Sequence, residues 1–125
     1  MRLLLDTNVL FWTFYEEKKL SNFTRTTMEA AEAIFISSAS LWEIAIKVCL
    51  GKMTVDPVEL AGKLTEANFQ ELPVFNRHVV LVANMPLHHK DPFDRLLVAQ
   101  AMSESFYLLT SDSKLAPYSN LVLCV

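Results

Sequence analysis

Short apolar runs alternate with longer amphipathic stretches along the whole chain. Residues 2–5, 34–37, 70–74, 106–110 and 121–125 each form a brief apolar segment, the pattern of strands covered on both faces. Helical spacing recurs between them, predicting helices over residues 8–15, 24–33, 39–50, 57–69, 77–84 and 93–104. Leu41, Ile44, Ala45 and Val48 form an i, i+3, i+4, i+7 stripe, with Lys47 and Lys52 near its end and Gly51 suited to the position after it, as helix C-termini require. Asp91 followed by Pro92 is an N-cap with proline at the first helical position. Parallel neighbours need long right-handed crossovers. The expected fold is therefore α/β, a three-layer α/β/α sandwich around a mostly parallel five-stranded sheet.

Composition narrows the class without changing that picture. With 125 residues, 52% of them hydrophobic and 20% charged, the chain fits one domain spanning residues 1–125. Two glycines and five prolines are too few for a disordered chain, and no repeat is visible. The opening MRLLLDTNVLFWTF is interrupted by Asp6 and Asn8 and lacks a cleavage site, so it does not read as a secretory signal. The longest aliphatic run, VVLVA at residues 79–83, is far below the roughly 18 residues that cross a bilayer. Cys49 and Cys124 stand apart, which suits a reducing compartment and a cytoplasmic protein with no membrane partner. A net charge of −3 argues against coating nucleic acid through a general basic surface. Lys47, Lys90, Arg95 and Lys114 near the acidic positions are the expected local phosphate-facing groups.

The acids carry the chemistry. Asp6 follows the first strand, Glu43 lies one turn into the helix after the second, Asp94 opens the last helix and Asp112 follows the fourth strand. Ligand sites of open parallel sheets lie outside the carboxyl ends of the strands, so residues at these junctions converge. Taken singly, each acid has a plain structural role: Asp6 and Asp112 as N-caps, Asp94 near a helix N-terminus, Glu43 paired with Lys47 at i+4. Taken together, they repel one another in a low-dielectric cleft, and protons or cations must relieve that repulsion. Hard oxygen donors without a nearby His or Cys select Mg²⁺ or Mn²⁺ over zinc.

Other chemistries lack their motifs. No glycine-rich phosphate loop can be built from Gly51 and Gly62 alone, which disfavours nucleotide sites. His78, His88 and His89 have no evident nucleophile partner, and His88-His89-Lys90 reads as a solvated loop. Trp12, Trp42 and the phenylalanines read as core, although Phe11, Trp12, Phe14 and Tyr15 crowd one helix so heavily that part of that area is expected to face a partner. A phosphatase using Asp6 as nucleophile would want an acid where Asn8 stands. A phospho-accepting signalling domain, which also has a Mg²⁺-binding acidic sheet end, would want adjacent acids after the first strand, where Asp6 stands alone.

The segments LLLDTNVLFW at 3–12, SSASLWEIAIKVCLGKM at 37–53, HHKDPFDRLLVAQAM at 88–102 and LLTSDSKL at 108–115 resemble, in this order, the PIN-domain ribonucleases and within them the VapC toxins of toxin–antitoxin pairs. The resemblance implies a Mg²⁺-dependent endoribonuclease, a cognate antitoxin and a homodimer. It places the metal-binding and catalytic acids on Asp6, Glu43, Asp94 and Asp112. Asp6 and Asp94 would be principal ligands, Glu43 a ligand or a base orienting water, and Asp112 part of a second cation site. Thr7, Asn8 and Ser111 would orient carboxylates or contact phosphate. Asp91 is either a supporting ligand or an N-cap, and its place before Pro92 favours the cap.

Overall fold

The computed structural model describes residues 1–125 and runs β1 (Arg2–Leu5), α1 (Thr7–Tyr15), α2 (Asn22–Ala30), β2 (Ala33–Ser37), α3 (Ser38–Cys49), α4 (Pro57–Glu66), β3 (Gln70–Leu72), α5 (Asn76–Val82), α6 (Pro92–Glu104), β4 (Tyr107–Thr110) and β5 (Val122–Cys124), with 3-10 turns at Glu17–Lys19 and Ser113–Tyr118. All neighbouring strands are parallel. Their order is β3-β2-β1-β4-β5, so the chain builds outward from β1 on one side and then crosses to its other side. That reversal opens a crevice between the carboxyl ends of β1 and β4.

Both faces of the sheet are covered, which explains why the strands read as unbroken apolar runs. Leu3 and Leu5 point to a core with Ile36, Leu109, Val9, Leu10, Ile44, Leu60 and Leu64. Leu4 points the other way, to Leu108, Leu97, Val98, Ala101 and Leu115. Helices α1, α3 and α4 thus form one layer, and α5, α6 and the 3-10 turn at Ser113–Tyr118 the other. No helix is long and apolar enough to cross a membrane.

Several boundaries differ from the sequence expectation, among them the end of α4, which stops at Glu66 and not at residue 69. The helix expected to reach residue 33 ends at Ala30, because Ala33 is drawn into the ladder opposite Arg2; strand pairing overrides the alanine-rich helical bias. Capping by Ser21, whose hydroxyl accepts from the Thr24 amide, starts that helix earlier than expected. β3 stops at Leu72 because Pro73 cannot donate to the ladder. Helices α3, α4 and α6 each close with a residue at positive φ, Gly51, Asn68 and Ser105, and a return bond such as Lys52 N to Lys47 O at 2.9 Å, the Schellman ending.

The aromatic residues correct one expectation, that the tryptophans and phenylalanines are core: Phe23 and Phe75 are 56% and 43% exposed. Trp42 is not core: it is 62% exposed, since it lies one position off the buried stripe of α3 and therefore about 100° around the helix. The aromatics of α1 are partly buried, which leaves part of their area at the surface. Phe11 stacks on Tyr15 at 5.3 Å and Phe14 meets Phe69 edge-on at 5.5 Å, while Lys19 and Lys63 lie over Trp12 and Tyr15. All four are half-buried against the core, because α1 is flanked by neighbours on both sides.

Candidate active site

Asp6 is the most buried acid, with 3% of its surface exposed. It caps α1, taking the Val9 amide on Oδ1 at 2.7 Å. Its other oxygen accepts from the Thr110 hydroxyl at 2.6 Å and the Ser111 amide at 2.9 Å. Those donors belong to the end of β4, so Asp6 bridges the crevice between β1 and β4. Burial pushes its carboxyl above the ordinary value, the three hydrogen bonds oppose that rise, and the Glu43 charge adds to it.

Glu43 is held from two sides. Thr7 donates its hydroxyl to Oε1 at 2.8 Å, with Ser40 Oγ at 3.2 Å behind it, and Lys47 pairs with Oε2 at 3.0 Å. Asp91 caps α6 by accepting from the amides of Phe93 and Asp94. Asp94 is raised to about 6, first by burial and then by the charges of Asp91, Asp6 and Glu43, against a lowering hydrogen bond from His89. Asp112 caps the following 3-10 turn through the Lys114 amide, and its own amide donates to the Thr110 hydroxyl.

Each acid therefore plays the plain structural role that its position suggested, and they nonetheless meet. Asp6, Thr7, Asn8, Glu43, Lys47, Asp91, Asp94 and Asp112 line one cleft of about 170 Å³ with no hydrophobic wall. Asp91 lines the cleft while its Oδ1 is engaged as a cap. Ser111 stays beside the cleft, where its hydroxyl accepts from the Asn8 amide at 3.3 Å. Asp6 and Asp94, both raised first by burial and then by neighbouring negative charge, belong to a donor set that a hard divalent cation fits, since the cation's charge favours their ionised form.

Two groups depart from the sequence reading. His89 does not belong to a solvated loop: Nε2 lies 3.0 Å from Oδ2 of Asp94 and 3.0 Å from Oδ2 of Asp112. Those three donor atoms form a compact group within 4.8 Å, so the acids are not free of a nearby nitrogen donor. The adjacency of His89 to the DPFDR segment was the available signal, outweighed by the usual exposure of such residues. Arg95 faces no phosphate site. It is buried, and its guanidinium donates to the carbonyls of Val82, Met85, Pro86 and His89 and to the Tyr118 hydroxyl. Sequence reasoning also passed over Thr110, a strand-end hydroxyl that ties Asp6 to the Asp112 backbone.

The family model of the PIN domain matches residues 3–120. No curated protein matches the chain. Among solved structures, the chain resembles the VapBC2 complex of Rickettsia felis bound to a DNA fragment from its promoter, with 18% identity, a TM-score of 0.72 and coverage of 98% of this chain and 97% of that one. A toxin–antitoxin complex from Klebsiella pneumoniae aligns with 17% identity, a TM-score of 0.66 and coverage of 97% and 95%. VapBC-5 from Mycobacterium tuberculosis aligns with 19% identity, a TM-score of 0.64 and coverage of 99% and 97%.

Proposed function

The chain belongs to the PIN-domain family, and from that premise we propose that it is a Mg²⁺- or Mn²⁺-dependent endoribonuclease, the toxin half of a toxin–antitoxin pair. The observation that carries this reading is the meeting of Asp6, Glu43, Asp94 and Asp112 in one wholly polar cleft at the β1/β4 switch point. A bound divalent cation would lower the pKa of its water and offset charge on the attacked phosphate. The protein's part is to hold donors and exclude alternatives. Asp6 and Asp94 would hold the cation, Asp6 with little freedom because three hydrogen bonds fix its carboxylate. Glu43, gripped by Thr7 and Lys47, orients and deprotonates the attacking water. Lys47 and Asn8 stand at the cleft where a phosphate would lie. The test is sequencing of RNA ends in cells after brief expression of the chain. New ends that the Asp94→Asn variant does not generate are expected, and an unchanged RNA population would sink the reading.

An antitoxin partner fits a second feature. A concave, mostly apolar groove of about 320 Å³ runs between α3, α4 and the sheet edge, lined by Ile36, Leu41, Ala61, Leu64 and Phe69 with Thr65, Gln70 and Glu71, and Phe14 meets Phe69 edge-on. Such a groove accepts an amphipathic segment, whose Arg or Lys would reach towards the acids and take the place of a cation. Ala61→Arg, an exposed substitution on the groove wall, should weaken antitoxin binding by roughly tenfold or more without lowering the melting temperature. Unchanged affinity in a pull-down titration would exclude this groove.

The flatter apolar face around Trp42, Val74, Val79 and Leu96 suits a second copy of the chain, because homodimer interfaces are the more apolar class. Trp42→Glu is expected to shift a dimer to monomer in sedimentation. A dimer that persists would place its interface elsewhere.

A further inference from the structure

We infer that His89 is a nitrogen ligand, so that the Asp94–Asp112 side of the cleft is a mixed nitrogen–oxygen cation site and not one of carboxylates alone. The inference rests on the cation-dependent reading above and deepens it. Nε2 of His89 stands 3.0 Å from one oxygen of Asp94 and 3.0 Å from one oxygen of Asp112, and the three donor atoms all lie within 4.8 Å of one another. Donor atoms this close could be shared by one small divalent cation. A single proton on Nε2 serves two carboxylates only by being shared between them; a cation serves all three donors at once.

The main chain at His89 has a built support. Its amide donates to the Tyr118 hydroxyl at 3.0 Å, and its carbonyl accepts from both Tyr118 and Arg95. Arg95, buried without any carboxylate partner, spends its donors on the carbonyls of Val82, Met85, Pro86 and His89. A guanidinium used to fix the backbone between α5 and α6 explains why the segment carrying His89 does not swing into solvent. These contacts fix the backbone from which the imidazole projects.

An imidazole donor biases the site towards borderline ions, so Mn²⁺ should gain over Mg²⁺. The experiment is a Mn²⁺ titration of the purified full chain followed by electron paramagnetic resonance, with pulsed detection of nitrogen coupled to the bound ion. Wild-type protein should show ¹⁴N coupling from one imidazole. His89→Asn should lose the coupling and bind Mn²⁺ roughly tenfold more weakly, with a smaller loss for Mg²⁺, while its circular dichroism stays that of wild type. Mn²⁺ bound by wild type without nitrogen coupling would overturn the inference and leave the cation reading standing. Equal or tighter Mn²⁺ binding by His89→Asn would also overturn it, since His89 would then be competing with the ion. No Mn²⁺ binding by wild type would overturn the inference and the cation reading together. The wild-type spectrum decides the matter even if the variant is unstable.

Discussion

Asp94→Asn is expected to reduce RNA cleavage by roughly a thousandfold or more and to leave the melting temperature of the cation-free protein unchanged or raised. Asp94 is the acid on which neighbouring charge weighs most plainly, held at about 6 by burial and by Asp91, Asp6 and Glu43. A neutral amide relieves that repulsion and keeps an oxygen to accept from His89. Asp6→Asn should abolish cleavage as well, but with a cost to the fold. One oxygen of Asp6 accepts from both Thr110 and Ser111, and Thr110 Oγ1 already accepts from the Asp112 amide. An amide group turned towards those donors strands them, at about 1–3 kcal/mol for each buried group left unsatisfied. Cleavage assays beside thermal melts of both variants check this; wild-type cleavage by purified Asp94→Asn would remove the acid from the mechanism.

Chelation by EDTA should erase activity, and Mg²⁺ or Mn²⁺ should restore it. The accompanying change in stability has a defined pH dependence. Because the folded carboxyl of Asp94 is raised from 3.8 to about 6, its favourable contribution is complete below 3.8 and is lost as pH rises through about 6. Asp6 moves in the same direction. Glu104 moves oppositely, lowered to about 2 mainly by its hydrogen bond from Arg77, so its contribution is lost only as pH falls below the ordinary carboxylate range. Between pH 5 and 7 the cleft acids therefore dominate among these groups. The cation-free protein should lose stability over that interval, and added Mn²⁺ should raise the melting temperature more at pH 7 than at pH 5, where protons compete for the same oxygens. Equal stabilisation at both pH values would show that these acids do not hold the ion.

The alternation of apolar runs and helical stripes was by itself sufficient for five strands, the helices between them and the sandwich they form, because parallel strands buried on both faces tolerate few polar residues. The same logic placed Asp6, Glu43, Asp94 and Asp112 at strand and helix junctions, which parallel topology brings to one end of the sheet. What sequence could not decide is what each side chain does once it arrives. Asp6 and Asp94 looked equivalent, and only the approach of Thr110 and Ser111 from β4 makes Asp6 a structural keystone as well as a cleft acid. Arg95 and His89 sit six residues apart on opposite sides of Asp94 and Asp91 in the same charged segment, yet one is buried under backbone carbonyls and the other joins the acids. Trp42 and Leu41 are chain neighbours, and the rotation of α3 against the sheet sends one outward and the other to the core. Periodicity is a local property that the chain carries with it; the direction of a single side chain is set by partners distant in sequence, and those exist only after the sheet has assembled.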